Sequence, residues 1–295
     1  MIKRDVLNSR GLSELKKRRR RAFLNKALIY LFVLLVVVAF ATYLSRLAGL
    51  NIKTVEAGGN NIVDTENIRA VTKREISGKY LWLFPKTNVL FYPKSAIRRS
   101  LASAYPRLKD IELRVKSGGA LLISVTEREP LYTWCGENIP EADTAENQIC
   151  YFLDKEGYVF DEAPYFSGDV YFKFYGVSGI VPLYPKNSYF AREYFVGLAA
   201  FKDAVSALGL EPSALYLKDD LDAELYLHSA STTKPKILIK VNADMTVLAA
   251  NLEVALQTEP LKTRFQKERR ALEYLDLRFE NKVYSKFLPA SGGQQ

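Results

Sequence analysis

The longest apolar run in the chain is Ala27–Ser45, ALIYLFVLLVVVAFATYLS, nineteen residues without a charge. As a helix it spans roughly 28 Å, close to the ~30 Å hydrocarbon core of a bilayer. Beyond it the apolar positions fall into short periodic segments. Ile52–Ala57 reads as a strand, stopped by Gly58-Gly59-Asn60-Asn61, residues suited to the positive φ angles of a turn. Asp64 is placed to cap a helix, with Val63 and Ile68 at the spacing of a hydrophobic staple and Ile68, Val71 and Ile76 along one face. A second helix starts near Pro93, presents Ile97 and Leu101, and stops at Pro106. Ile111, Leu113 and Val115 alternate, Ser117-Gly118-Gly119 turns the chain, and Leu121, Ile123 and Val125 alternate on the returning strand Leu121–Glu127. Strand–helix–helix–strand–strand in this span is one small α+β unit.

After Pro130 the pattern changes to many short strands: Tyr132–Cys135, Tyr151–Leu153, Tyr158–Phe160, Val170–Phe174, Leu215–Leu217, Glu224–Leu227 and Lys236–Val241. Helices are predicted over Phe190–Leu208, closed by Gly209, and over Met245–Thr258, stopped before Pro260. A strand at Tyr274–Phe279 and a short one at Val283–Tyr284 complete a second, larger α+β domain. The expected fold class is therefore α+β, with a single transmembrane helix, a small β-α-α-β-β domain and a larger sheet-rich domain with helices. The boundaries are 1–26 for a basic tail, 27–45 for the span, 51–128 and 129–286 for the two domains, and 287–295 for a disordered tail.

Charge changes this picture in one respect. The net charge of +9 suggests a nucleic-acid binder, but residues 1–26 hold ten Lys/Arg against two Asp/Glu. The rest of the chain holds 32 basic and 31 acidic side chains, so the folded part has no overall field for phosphates and no nucleic-acid partner is expected. Lys16-Lys17-Arg18-Arg19-Arg20-Arg21 directly before the apolar run orients it N-in, C-out. Ala39-Phe40-Ala41 resembles a signal-peptidase site, but the leader would be longer than usual, and an uncleaved anchor is the favoured reading.

The sequence carries few residues in patterns that point to chemistry. His228 is the single histidine, no Cys/His metal spacing occurs, and there is no G-x-S-x-G, G-x-G-x-x-G or P-loop. Asp219, Asp220 and Asp222 cluster between strands without the spaced oxygens of a calcium loop. No catalytic residue, metal, cofactor or small-molecule substrate is expected. Cys135 and Cys150 flank a polar loop between aromatic-rich strands. A disulfide there, favoured over two buried thiols, would stabilise by about 3 kcal/mol.

In their order, these segments resemble the FtsQ/DivIB family of bacterial cell-division proteins. Gly59-Asn60 after Ile52–Ala57 is similar to that family's first strand and turn, and Asp64–Ile68 to its first helix start. Leu81–Phe84, Ile97–Leu101 and Tyr105-Pro106 resemble its next landmarks. The segment from Ile123 through Glu127-Arg128 to Pro130 is similar to the end of its POTRA domain, and Tyr151–Phe160 with Leu153-Asp154 and Gly157 to a later hairpin. Tyr274-Leu275-Asp276-Leu277-Arg278-Phe279 is similar to its "vDLRy" strand. Residues 161–235 do not align, Gly118-Gly119 replaces a frequent Trp-Pro turn, and the cysteine pair is not general in the family.

The resemblance implies a non-enzymatic scaffold at the division septum of a bacterial plasma (inner) membrane. It would bind FtsB/DivIC-like and FtsL-like proteins and help regulate septal peptidoglycan synthesis. A secretion component bearing a POTRA domain, or a membrane-anchored cell-wall enzyme, are the alternatives. The partner is expected to add a strand to the C-terminal strand region, at Arg278, Phe279, Asn281, Val283 and Tyr284. In that reading Tyr274–Phe279 lies at the sheet edge, Leu275, Leu277 and Phe279 alternate with polar residues so that one face can pack on the domain, Arg278 meets acidic partner residues, and Phe279, Val283 and Tyr284 offer the partner apolar and aromatic contact.

Overall fold

In the computed structural model, which describes residues 10–140, 148–166, 168, 170–176, 188–218, 221–229, 234–280 and 282–289, the apolar run is part of a longer helix, α1 (Arg10–Ser45). No Gly or Pro interrupts it from Leu12 to Ser45, and its Lys, Arg and Leu are good helix formers, so the helix starts well before Ala27. Among the described residues it is the one helix long and apolar enough to cross a membrane, over Lys16–Ser45. Its end is closed by side chains. Asn51 Nδ2 donates to the carbonyls of Ser45 (3.0 Å) and Leu47 (2.8 Å), and Asn88 Nδ2 donates to Ser45 (3.0 Å), satisfying carbonyls that a helix end leaves open.

Chain contacts divide the protein into two units, Met1–Leu101 with Asp110–Thr126, and Ala102–Lys109 with Glu127–Gln295. The first holds β1 (Thr54–Gly58), α2 (Thr65–Ile76), the short pair β2 (Lys79–Tyr80) and β3 (Phe84–Pro85), and most of α3 (Lys94–Ala104), β4 (Leu108–Lys116) and β5 (Ala120–Glu127). The three-stranded sheet has the order β1-β5-β4, with β1 parallel to β5 and Thr54 opposite Ala120. Ile68, Ile97, Leu101, Leu121 and Ile123 are fully buried in its core. Asp64 caps α2 by accepting from the Glu66 amide (3.3 Å). The buried face of α2 is Ile68, Thr72 and Ile76, and Val71 is only half-buried. Thr72 can take the central position because its hydroxyl donates to the Ile68 carbonyl (2.9 Å). Gly59 has φ +88°, and a Cβ there would lie 2.2 Å from the Val125 carbonyl oxygen, which explains the glycine after β1. The β2–β3 hairpin was not anticipated, since Leu81-Trp82-Leu83 carries no turn residue.

The second unit holds a ten-stranded mixed sheet. Its strands are β6 (Tyr132–Trp134), β7 (Cys150–Leu153), β8 (Tyr158–Ala163), β9 (Phe172–Gly176), β10 (Ser188–Tyr189), β11 (Pro212–Leu217), β12 (Asp222–Leu227), β13 (Lys236–Lys240), β14 (Leu272–Phe279) and β15 (Lys282–Phe287). They lie in the order β10-β8-β7-β6-β9-β11-β12-β13-β14-β15. Helices α4 (Phe195–Ala207), α5 (Met245–Gln257) and α6 (Leu261–Glu268) interrupt the strands. Phe174, Phe195, Leu198, Leu225, Ile237, Leu252 and Leu275 belong to one large buried cluster, while Phe152 and Phe160 form a smaller aromatic one with Phe166 and Tyr171. Helix α4 starts at Phe195, five residues later than expected, because buried Ala191 takes a left-handed turn (φ +46°). The polar helix α6 buries no residue and had no apolar stripe to announce it.

Two segments of the second unit meet through charge. Arg128 Nη1 donates to Asp154 Oδ2 (2.5 Å), and its guanidinium lies 3.7 Å from the Tyr158 ring centre. Asp154 Oδ1 accepts from the amides of Glu156 and Tyr158, both at 2.9 Å, shaping the β7–β8 turn. Cys135 and Cys150 are bonded (S–S 2.05 Å) across the start of β7.

Candidate functional site

Strands β14 and β15 close one end of the large sheet. β14 runs parallel to β13, with Lys236 opposite Tyr274, and antiparallel to β15, with Asp276 opposite Tyr284. This corrects the expectation that Tyr274–Phe279 is the edge: it is an inner strand, because the short segment at Val283–Tyr284 extends to six residues and pairs outside it. Among the described residues the edge therefore belongs to β15. Leu275 and Leu277 face the core, while Phe279, which continues their alternation and is expected to offer apolar contact to a partner, turns outward. The ladder shifts register between Asp276 and Phe279, and Phe279 emerges half-exposed with its ring 5.2 Å from that of Tyr284, edge to face.

Arg278 is engaged within its own chain. Its Nη2 donates to Asp276 Oδ2 and its Nη1 to Asp222 Oδ2, each at 2.7 Å, and Lys240 Nζ lies 2.7 Å from Asp222 Oδ1. Asp222 and Asp276 are both buried. The hydrogen bonds that Arg278 donates to Asp276 and then to Asp222 hold it above its ordinary value, against burial. Burial pushes the Asp222 carboxyl up, but the hydrogen bonds and charges of Lys240 and Arg278 outweigh it, and the group sits below the usual carboxylate range. Two cations thus neutralise two carboxylates, and Arg278, expected to meet acidic partner residues, ties β14 to β12 within its own chain. Asn281 lies outside the described residues.

The surface beside β15 is apolar and grooved. Phe279 and Tyr284 stand out next to half-buried Val283. A groove of about 480 Å³ is lined by Val247, Asn251, Leu277, Arg278, Phe279 and Glu280, among others. A second of about 310 Å³ is lined by Asn251, Val254, Thr258, Leu261 and Val283, among others. Asn251 borders both, so the outer side of α5 and the end of the sheet form one surface. Helix α5 buries Met245, Leu248 and Leu252 and leaves Val247 and Val254 exposed, a seven-residue spacing that places both valines on one side of the helix. Sequence reasoning missed these valines; the signal was present as apolar residues outside the helix's inward stripe.

The other candidates occupy less suggestive places. Asp222 is structural, Asp219 and Asp220 lie outside the described residues, and the His228 amide donates to the Glu211 carbonyl (2.7 Å). Among the described residues no three His, Cys, Asp or Glu side chains gather to hold a metal. What this end of the sheet offers chemically is an edge strand with apolar and aromatic flanks, which suits backbone pairing with an extended segment. No family model matches the chain, and no curated protein matches it.

Proposed function

We propose that this protein is a membrane-anchored, non-enzymatic binding scaffold of the FtsQ/DivIB type. In that reading α1 is a single N-in span, the first unit is a POTRA domain, and the second is the β domain that holds FtsB/DivIC-like and FtsL-like partners at the division septum. The observation that carries the reading is the open edge β15, with Phe279, Tyr284, Val247 and Val254 exposed around it. A partner strand adding to β15 would gain backbone hydrogen bonds, and a following helix or loop could seat apolar residues in the grooves beside α5. The order of elements after α1 also supports the POTRA reading.

The test is capture of purified FtsB/DivIC-like partner by the full chain in detergent, comparing wild type with Phe279→Asp, Val247→Asp and a truncation after Glu280. Phe279 and Val247 are half-exposed, so their substitution leaves the core alone. Loss of a central apolar contact of about 2 kcal/mol corresponds to roughly 30-fold weaker binding. Truncation removes the whole edge strand and should abolish capture. Wild-type affinity in folded Phe279→Asp and Val247→Asp proteins would place the interface elsewhere.

A further inference from the structure

The β2–β3 hairpin departs from ordinary turn chemistry. Leu81 and Trp82 both have positive φ, +46° and +65°, and the Leu83 amide donates to the Tyr80 carbonyl (3.0 Å). Such a turn ordinarily takes Asn-Gly, since a bulky side chain in the left-handed region is strained. Here it carries two of the largest apolar side chains, and they point into solvent: Leu81 is 83% and Trp82 89% exposed. Backbone strain spent on displaying apolar side chains favours a functional reading over a packing one.

The position of the hairpin identifies what covers it. β3 packs against α1, and Asn88, just beyond the hairpin, holds the Ser45 carbonyl at the end of the apolar run. The Val89 amide donates to the Leu50 carbonyl (2.9 Å), so the exposed Leu90 and Phe91 are tied to the same exit segment. Apolar side chains that would otherwise meet water are thus fastened to the last turn of the helix read as the membrane span. The charges match an anionic surface as well. Between Glu75 and Asp110 there is no acidic residue, while Lys79 and Lys86 flank the hairpin and Lys94 follows. Tryptophan beside lysine at the end of an apolar helix is the composition of a membrane–water interface.

We infer that the hairpin is an interfacial membrane anchor: Leu81 and Trp82, with Leu90 and Phe91, enter the headgroup–acyl boundary of the leaflet that α1 leaves, and the adjacent lysines contact anionic headgroups. The inference rests on α1 spanning the bilayer. The full chain is reconstituted into phosphatidylcholine–phosphatidylglycerol vesicles in which part of the phosphatidylcholine is brominated near the glycerol end of its acyl chains. Wild type and Trp82→Phe are compared, and Trp134 supplies the common background. Trp82 is almost fully exposed, so the substitution leaves folding intact. Flotation after alkaline washing reports the span independently. Strong bromine quenching of the wild-type emission, reduced to the Trp134 background in Trp82→Phe, supports the inference. Equal fractional quenching in both floating proteins overturns it and leaves the anchor reading standing. Failure of either protein to float overturns the anchor reading, and the hairpin inference with it.

Discussion

Replacing Arg128 by alanine should be among the most destabilising single changes in the second unit. The Arg128 and Asp154 side chains are 10% and 4% exposed, so removing the guanidinium leaves a carboxylate in a dry site without its counter-charge. Breaking a buried pair in this way costs about 3–5 kcal/mol. Asp154 keeps two backbone amides at 2.9 Å, which moves the expectation to the lower end. The lost stacking on Tyr158 adds about 0.5–1 kcal/mol, and the bond from Arg128 Nε to the Pro106 carbonyl (3.2 Å) also goes. A net loss of about 4 kcal/mol is therefore expected, and with a urea m-value of about 2–3 kcal/mol/M the midpoint should fall by roughly 1.5 M. The measurement is urea unfolding of the full chain in detergent in a Trp82→Phe background, where Trp134 alone reports on the second unit. Arg128→Lys keeps the charge but lacks the flat guanidinium, and should recover only part of the loss. A loss below about 1 kcal/mol for Arg128→Ala would mean that Asp154 is solvated in the native protein and not in a dry site.

Acid should weaken the same unit. Asp222 is held below its ordinary value, and so is Glu224, where burial is outweighed by hydrogen bonds from Lys218, Tyr226 and Lys236. Depressed carboxylates contribute stability above their unfolded values of about 4, and that contribution is lost as pH falls through the lower folded values. Urea midpoints should be level above pH 6 or so and decline below about pH 4, more shallowly in Asp222→Asn. Joint replacement of Cys135 and Cys150 by serine should lower stability by about 3 kcal/mol without preventing folding, since the closed loop spans 15 residues. In wild type isolated without reductant, alkylation should leave both sulfurs unmodified by mass.

The elements legible in the sequence are those whose signals are local. Asp64 before Ile68, Pro93 before Ile97, and the alternation of Leu121, Ile123 and Val125 each declare an element within a few residues, and each element is present. Sheet order is not local. Nothing near Tyr274 reveals that β15 pairs outside β14, so the sequence alone points to an edge one strand too early. The partners of Arg278 are hidden for the same reason: Asp222 lies 56 residues away and reaches it only through the β12-β13-β14 arrangement. The β2–β3 hairpin escaped because it contradicts local preference, with Leu81 and Trp82 where glycine or asparagine would be read as a turn.

The junction below α1 has a mechanical consequence. Asn51 and Asn88 grip the Ser45 carbonyl from two directions, and a single 3₁₀ turn, Ala48–Leu50, separates the helix from the strand-bearing chain. The connection is short and tied by side chains at its start. With α1 in a bilayer as proposed, the first unit behaves as the head of a lever whose shaft is the helix. Leaning the shaft by about 20°, an ordinary tilt for a spanning helix, carries a point about 20 Å from the junction sideways by about 7 Å. Any change in that lean would then steer where the head points, and a flexible insertion between Ser45 and Asn51 would uncouple the two.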